Sequence, residues 1–294
     1  MFFLLLKALR PHQWVKNLLV FAPFILAHQL RDGARYPILL VTFACMCLTA
    51  SAIYLCNDLF DREADRRHPD KKYRPIASGS LPPLVAWIAA CTMLAVSLGI
   101  AVRFVGPLPA VLLAAYGVLS LSYTVALKRL LMVDVIVLSF FYSLRIIIGG
   151  TAVNVAISPW FLAFSFFFFL SLGFVKRYTE IRLLGTTTGE RLARRGYGAE
   201  DIGLLPIAGI SSGLLSILVF LLYIATSEQV KELYSNSLWL WMIAPLFVYW
   251  LMRIWFLAVR GIMHSDPVSF AIRDLPSWVT AALIATLLLL GSIT

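Results

Sequence analysis

Long uninterrupted apolar runs dominate this chain and leave it few folds to adopt. Nine of them recur, at roughly 15–30, 38–56, 83–103, 107–126, 132–153, 158–176, 204–225, 237–256 and 276–293. A bilayer's hydrocarbon core needs a helix of about 20 apolar residues. A backbone buried in lipid must satisfy its own hydrogen bonds, which leaves helices or closed barrels as the spanning structures. Runs of this length read as helices, so the expected fold class is an all-α membrane protein, a nine-transmembrane-helix bundle. With 61% hydrophobic and 14% charged residues, a soluble fold is excluded. The first run is the weakest, because Pro23 interrupts a short apolar stretch. One polytopic domain over 1–294 is expected, with two long loops at 57–81 and 177–201.

The basic residues orient the bundle. Most of the 25 Lys and Arg fall in the N-terminus and the loops after spans two, four, six and eight. The opposite loops hold Arg31, Arg35, Arg103 and Lys231, and Arg145 lies within a span. By the positive-inside rule the N-terminus and both long loops are cytoplasmic, which places a multi-pass protein in the cell (cytoplasmic) membrane. The net charge of +10 reflects this topology and anionic lipid, and no nucleic-acid motif accompanies it. Residues Phe2 to Leu6 are too few to span and suit an interfacial segment rather than a signal peptide. The four cysteines (Cys45, Cys47, Cys56, Cys91) lie within spans without metal-ligand spacing and read as small packing residues.

One polar cluster interrupts this pattern, Asn57-Asp58-Leu59-Phe60-Asp61-Arg62-Glu63-Ala64-Asp65. If the helix continues past Cys56, then Asp58, Asp61 and Asp65 share a face at i, i+3 and i+7, with Asn57 beside them. Carboxylates so placed repel one another unless a cation intervenes. Magnesium is the usual answer, since it takes one or two carboxylates and completes its shell with water and substrate phosphates. The competing reading is a solvated loop whose charges stop the helix from sliding. Regular spacing and the tail Lys71-Lys72-Tyr73-Arg74-Pro75-Ile76-Ala77-Ser78-Gly79 favour a magnesium–diphosphate site.

Asn57-Asp-x-x-Asp61-x-x-x-Asp65 followed by Arg74-Pro75 and Ser78-Gly79 resembles the first aspartate-rich motif of the UbiA superfamily of intramembrane prenyltransferases. The Tyr123…Lys128 element after span four is similar too. The opening Leu9-Arg10-Pro11-His12-Gln13-Trp14-Val15-Lys16-Asn17, with Lys176-Arg177-Tyr178-x-Glu180 and Asp266-Pro267-Val268, resembles the decaprenyl-phosphate phosphoribosyltransferase branch. That resemblance implies magnesium-dependent transfer of 5-phosphoribosyl from phosphoribosyl pyrophosphate to a polyprenyl phosphate. It makes Asp58, Asp61 and Asp65 catalytic, with Asn57 as a fourth metal ligand. Ordinary members carry a second Asp-x-x-x-Asp cluster after span six. Here Lys176-Arg177-Tyr178-Thr179-Glu180 stands instead, as if fixed positive charge had replaced a second metal site.

The remaining candidates bind phosphates or the lipid. Lys16 is placed either to snorkel or, beside Asn17, to touch substrate. Tyr123 and Lys128 suit an interfacial anchor, and the resemblance tips them towards phosphate. Arg145, deep in span five, is costly unless it faces a wet cavity, an anion or a carboxylate, and is functional by default. Arg74, Lys176, Arg177, Glu180 and Asp266 complete the substrate-binding set. Asp266 and Asp274 also suit helix caps. The alternative is a UbiA-type transferase moving a prenyl group from its diphosphate to a lipid-soluble acceptor. A transporter would spread charge through its spans, which this chain does not. Homo-oligomerisation, prenyl length and the pathway served, cell-wall synthesis included, stay open.

Overall fold

The computed structural model describes residues 1–67, 70–183, 196–263 and 266–293, and these are helical, with no strand among them. Eight helices among the described residues are long and apolar enough to cross a membrane. The chain packs as two compact units, one comprising Met1–Leu127 with Leu144–Ala156 and the other Lys128–Ser143 with Ile157–Thr294.

The first unit opens with α1 (Phe2–Leu9), a 3-10 segment (Pro11–Phe21) and α2 (Ala22–Leu26). It continues through α3 (Tyr36–Phe60), the short α4 (Arg62–Arg67), α5 (Pro83–Ile100) and α6 (Pro107–Val125). Prolines stand in the first turns of α3, α5 and α6, where their missing N–H costs nothing. The run expected to span at 15–30 is therefore not one long helix. Pro23 leaves a carbonyl of the preceding turn without its α-helical donor, and the residues before it wind at three per turn.

That winding puts Trp14 and Asn17 one turn apart, facing α3. Trp14 Nε1 donates to Ser51 Oγ at 2.9 Å, and Asn17 Nδ2 donates to Cys47 Sγ at 3.3 Å. Ser51 and Cys47 are themselves one α-turn apart, so two helices of different pitch meet along one polar seam. Small residues set other close contacts. A Cβ at Gly149 would lie 2.0 Å from the Val20 carbonyl oxygen, so only glycine admits the 3-10 backbone there.

The second unit holds α7 residues up to Ser143, α7 as a whole being Val133–Ala152, then α8 (Pro159–Leu183) and α9 (Leu204–Thr226). After these come α10 (Glu228–Leu233), α11 (Leu238–Trp241), α12 (Ile243–Val259), α13 (Pro267–Ala271) and α14 (Leu275–Ile293). Its core joins Val135, Phe174, Val175, Ile254 and Trp255. Gly209 on α9 lies under the Trp255 ring of α12, where a Cβ would sit 2.0 Å from the indole. Trp255 Nε1 in turn donates to Ser171 Oγ of α8 at 3.1 Å, which satisfies a polar atom in a dry core.

Two boundaries shift against expectation, both in the direction that gives the motifs rigid support. Helix α3 runs on to Phe60 and α8 to Leu183, so the residues expected to open long loops at 57 and 177 are helical. Residues 184–195 of the second expected loop lie outside the described residues.

Candidate functional site

In the first unit the aspartates gather around arginine. Helix α3 ends at Asp61, yet Asp61 N–H donates to Asn57 O at 2.9 Å and Asp65 N–H to Asp61 O at 2.8 Å. The helical hydrogen-bond pattern thus carries across the break and keeps Asp58 and Asp65 on one side. Both are buried, at 1% and 4% exposed. Arg74 Nη1 bridges them, 3.1 Å from Asp58 Oδ1 and 2.6 Å from Asp65 Oδ2, while Arg10 Nη2 lies 2.5 Å from Asp58 Oδ1. Burial, acting against the neighbouring Arg74, pushes the Asp65 carboxyl above its ordinary range. Asn57 and Asp61 are half-buried beside the pair.

The loop after α4 aims Arg74. Ile76 and Ala77 are buried, Ile76 among Ala52, Leu55 and Cys56 of α3. Arg66 Nε donates to Ala77 O at 3.0 Å, and Leu81 N–H closes the loop on Pro75 O at 2.9 Å. Gly79 turns the chain at φ 81°, a conformation that suits glycine.

Two guanidiniums therefore supply the neutralising charge that the sequence reading assigned to a divalent ion. Among the described residues no group of three or more His, Cys, Asp or Glu is arranged to hold a metal. One atom is nonetheless left over. Asp58 Oδ2 is buried with no hydrogen-bond partner, although its sister oxygen has two cations. An orphaned carboxylate oxygen in a dry setting is costly, and a hard cation is the partner it suits. The donor set of carboxylates and a carboxamide fits magnesium on that ground.

Arg145 is 6% exposed, and two of its partners are neutral side chains. Nε donates to Asn17 Oδ1 at 2.9 Å and Nη2 to Tyr116 Oη at 2.7 Å. Asn17 thus links the Arg145 guanidinium to Cys47 of α3. Lys16 precedes it, half-buried in the 3-10 segment, and Tyr123 is half-buried in the last turn of α6.

In the second unit the expected cations are already engaged. Arg177 is fully buried: Nε lies 2.5 Å from Asp134 Oδ2, off hydrogen-bond alignment, and Nη2 donates to Asp134 Oδ1 at 3.2 Å. Arg177 Nη1 also pairs with Glu180. Lys176 Nζ stands 3.6 Å from Asp266 Oδ1 and keeps part of its surface exposed. Lys128 is 4% exposed, within a 3-10 turn (Leu127–Arg129). The patch read as a cluster of cations thus carries Asp134, Glu180 and Asp266 against Lys176 and Arg177. The expected surplus of positive charge is therefore not found there, because Asp134, Glu180 and Asp266 offset it.

Asp266 accepts from Ser269 N–H at 3.4 Å and caps α13, and Asp274 accepts from Ser277 N–H at 3.0 Å, so both cap helices as expected. Asp274 also takes Arg253 bidentately, at 2.6 and 3.0 Å.

Two contributors, Arg10 and Tyr197, were not among the candidates, and a third, Asp134, was only a weak one. Arg10 stands before Pro11 in the opening segment, and no local pattern ties it to Asp58, 48 residues away. Asp134 showed itself only as an acid at the start of a span. Tyr197 accepts from Met132 N–H at 3.2 Å, and burial followed by the nearby Asp134 pushes its phenol up to about 12. No local pattern marks it.

A multi-pass, all-helical integral membrane protein with an Asn–Asp motif at the end of a spanning helix is the class that fold and site define. The chain belongs to the UbiA prenyltransferase family, whose profile matches residues 18–271. It is similar to the uncharacterized protein y4nM of Sinorhizobium fredii, 38% identical over 96% of this chain, and spans about half (54%) of that protein's length. Nodulation protein NoeC of Azorhizobium caulinodans is 33% identical over 91% of this chain and 86% of its own. Decaprenyl-phosphate phosphoribosyltransferase of Mycolicibacterium smegmatis is 39% identical over 62% of this chain and 58% of its own. The fold matches that of a UbiA homolog from Archaeoglobus fulgidus bound to GPP and Mg2+, with TM-score 0.74 at 14% identity over 97% and 99% of the two chains.

Proposed function

We propose that this chain transfers 5-phosphoribosyl from phosphoribosyl pyrophosphate to a polyprenyl phosphate at the cytoplasmic face of the cell membrane, releasing diphosphate. The observation that carries the reading is the lack at 176–180 of the acid pair that a second metal would need, rather than any surplus of positive charge. Where the family's resemblance calls for a second pair of aspartates, this chain has Lys176 and Arg177 with Glu180 alone. The similarity to decaprenyl-phosphate phosphoribosyltransferase, partial in length, points the same way.

The bond between ribose C1 and the diphosphate oxygen breaks, and an oxygen of the lipid phosphate forms the new bond to C1. The lipid phosphate is already anionic at neutral pH, so no strong base is required. Asp58, Asp61 and Asp65, with Asn57, would hold a magnesium ion, which when bound would supply charge neutralisation for the leaving diphosphate. Arg74 and Arg10 hold the carboxylates in position and carry charge that a diphosphate can share. Lys16 and Tyr123 in the first unit, and Lys128 and Lys176 in the second, are each phosphate-binding candidates, so catalysis is positioning and electrostatics. Arg177 is a positioning residue, since its guanidinium is spent on Asp134 and Glu180. Arg145 keeps Asn17 oriented beside Lys16.

Ligand-induced thermal stabilisation separates this reading from prenyl transfer. Phosphoribosyl pyrophosphate with magnesium raises the Tm of the purified chain more than geranyl diphosphate with magnesium does. The opposite ranking assigns the site to a prenyl diphosphate.

A further inference from the structure

Away from the aspartates, the C-terminal ends of α8 and α12 meet around a cavity of about 230 Å³ whose lining includes Thr179, Arg182, Arg260, Gly261 and Met263. Helix α12 closes with a left-handed glycine. Gly261 (φ 75°) donates N–H to Ala258 O at 3.0 Å, and Ile262 N–H reaches back to Leu257 O at 3.0 Å. The Arg182 guanidinium lies against this glycine, with three of its atoms 3.2 Å from where a Cβ would stand. The glycine thus serves both the turn and the close approach of the arginine.

The two arginines are under-used. Among the described residues Arg182 makes one hydrogen bond, Nη1 to Ala258 O at 3.4 Å, and Arg260 sits 5.9 Å from the Phe256 ring centre. Neither has a carboxylate partner among the described residues. Each guanidinium offers five N–H donors, so most of their capacity is unspent. Capping helix C-termini explains their sign, since cations suit that end of a helix dipole. It does not explain why two of them line one cavity without an acid. Phe256, Val259, Ile262 and Leu183 beside them are exposed and apolar, at the ends of helices long enough to cross a bilayer. A paired guanidinium site with an apolar skirt suits a phosphate that carries hydrocarbon chains.

We propose that Arg182 and Arg260 form a binding site for the phosphate of an anionic membrane lipid, separate from the aspartate site. Phosphatidylglycerol is the probe, titrated into the detergent-solubilised chain while Tm is followed, with phosphatidylcholine and inorganic phosphate as parallel arms. Phosphatidylglycerol is expected to raise Tm where the other two do not. Its apparent affinity falls about fivefold in Arg260→Gln and further in the Arg182→Gln/Arg260→Gln double variant. Arg260→Gln breaks no hydrogen bond among the described residues, so its response is read on a folded protein. An undiminished response in the double variant overturns the site. An equal shift from phosphatidylcholine or from inorganic phosphate overturns the assignment to an anionic lipid. The readout is lipid binding, so its failure leaves the proposed transfer reaction standing, and the reverse holds too.

Discussion

Asp58 divides its two oxygens between two tasks. Oδ1 is fixed by Arg10 and Arg74, while Oδ2 is buried and unpartnered. A carboxylate held on one side and open on the other is pre-oriented for a ligand rather than collapsed into a closed ion pair. Asp134 shows the opposite arrangement, both oxygens turned to Arg177 with neither side chain exposed. Removing one partner of such a pair strands a buried charge, a loss of about 3–5 kcal/mol. Asp134→Ala is expected to lower thermal stability sharply, and Asp134→Leu with Arg177→Met to recover most of it. Equal losses in the single and double variants, measured by thermal denaturation in detergent, contradict a purely structural pair.

Elements carry these residues because the one-turn spacings of their side chains match where they touch, although their pitches differ. The 3-10 segment meets α3 at Trp14–Ser51 and Asn17–Cys47, and it meets α7 where Gly149 admits the Val20 backbone. Gly149→Ala is expected to push that segment outward and lower Tm by several degrees. Gly99→Ala, whose new methyl meets open space, serves as the neutral control. If the two variants melt alike, the close approach is not what holds the segment.

The cap of α14 adds a pH dependence. Burial raises the Asp274 carboxyl pKa, but bonds from Arg253 and Ser277 outweigh it and the net shift is downward. A depressed carboxylate stabilises the fold above its unfolded pKa of about 3.9 and loses that contribution as pH falls through the lower, folded value. Asp274→Asn therefore flattens the acid limb of the stability profile and leaves the profile near neutrality parallel to the parent's. A limb of unchanged steepness assigns the acid loss to other carboxylates.

Sequence showed the spanning helices well, since hydrocarbon length fixes how many apolar residues must run together. It marked Pro23 as the weak point of the first run, and there a 3-10 segment stands in place of a long helix. It placed Asp58, Asp61 and Asp65 on one helix face, and the structure brings Asp58 and Asp65 onto Arg74. What it could not show were partners distant along the chain. Arg10 and Asp58 are 48 residues apart, Asp134 and Arg177 43. No local periodicity encodes such a pairing, so buried cations read as substrate ligands until their acids were located.

At the scale of the whole molecule, the account makes the acids at the end of α3 the seat of a diphosphate-releasing transfer. Its most direct test incubates the purified chain with radiolabelled phosphoribosyl pyrophosphate, decaprenyl phosphate and magnesium, and separates the lipid products. The account predicts a labelled lipid that forms only with magnesium, and whose formation Asp61→Asn abolishes while the variant keeps its Tm. No labelled lipid from the parent chain, or full transfer by Asp61→Asn, contradicts it.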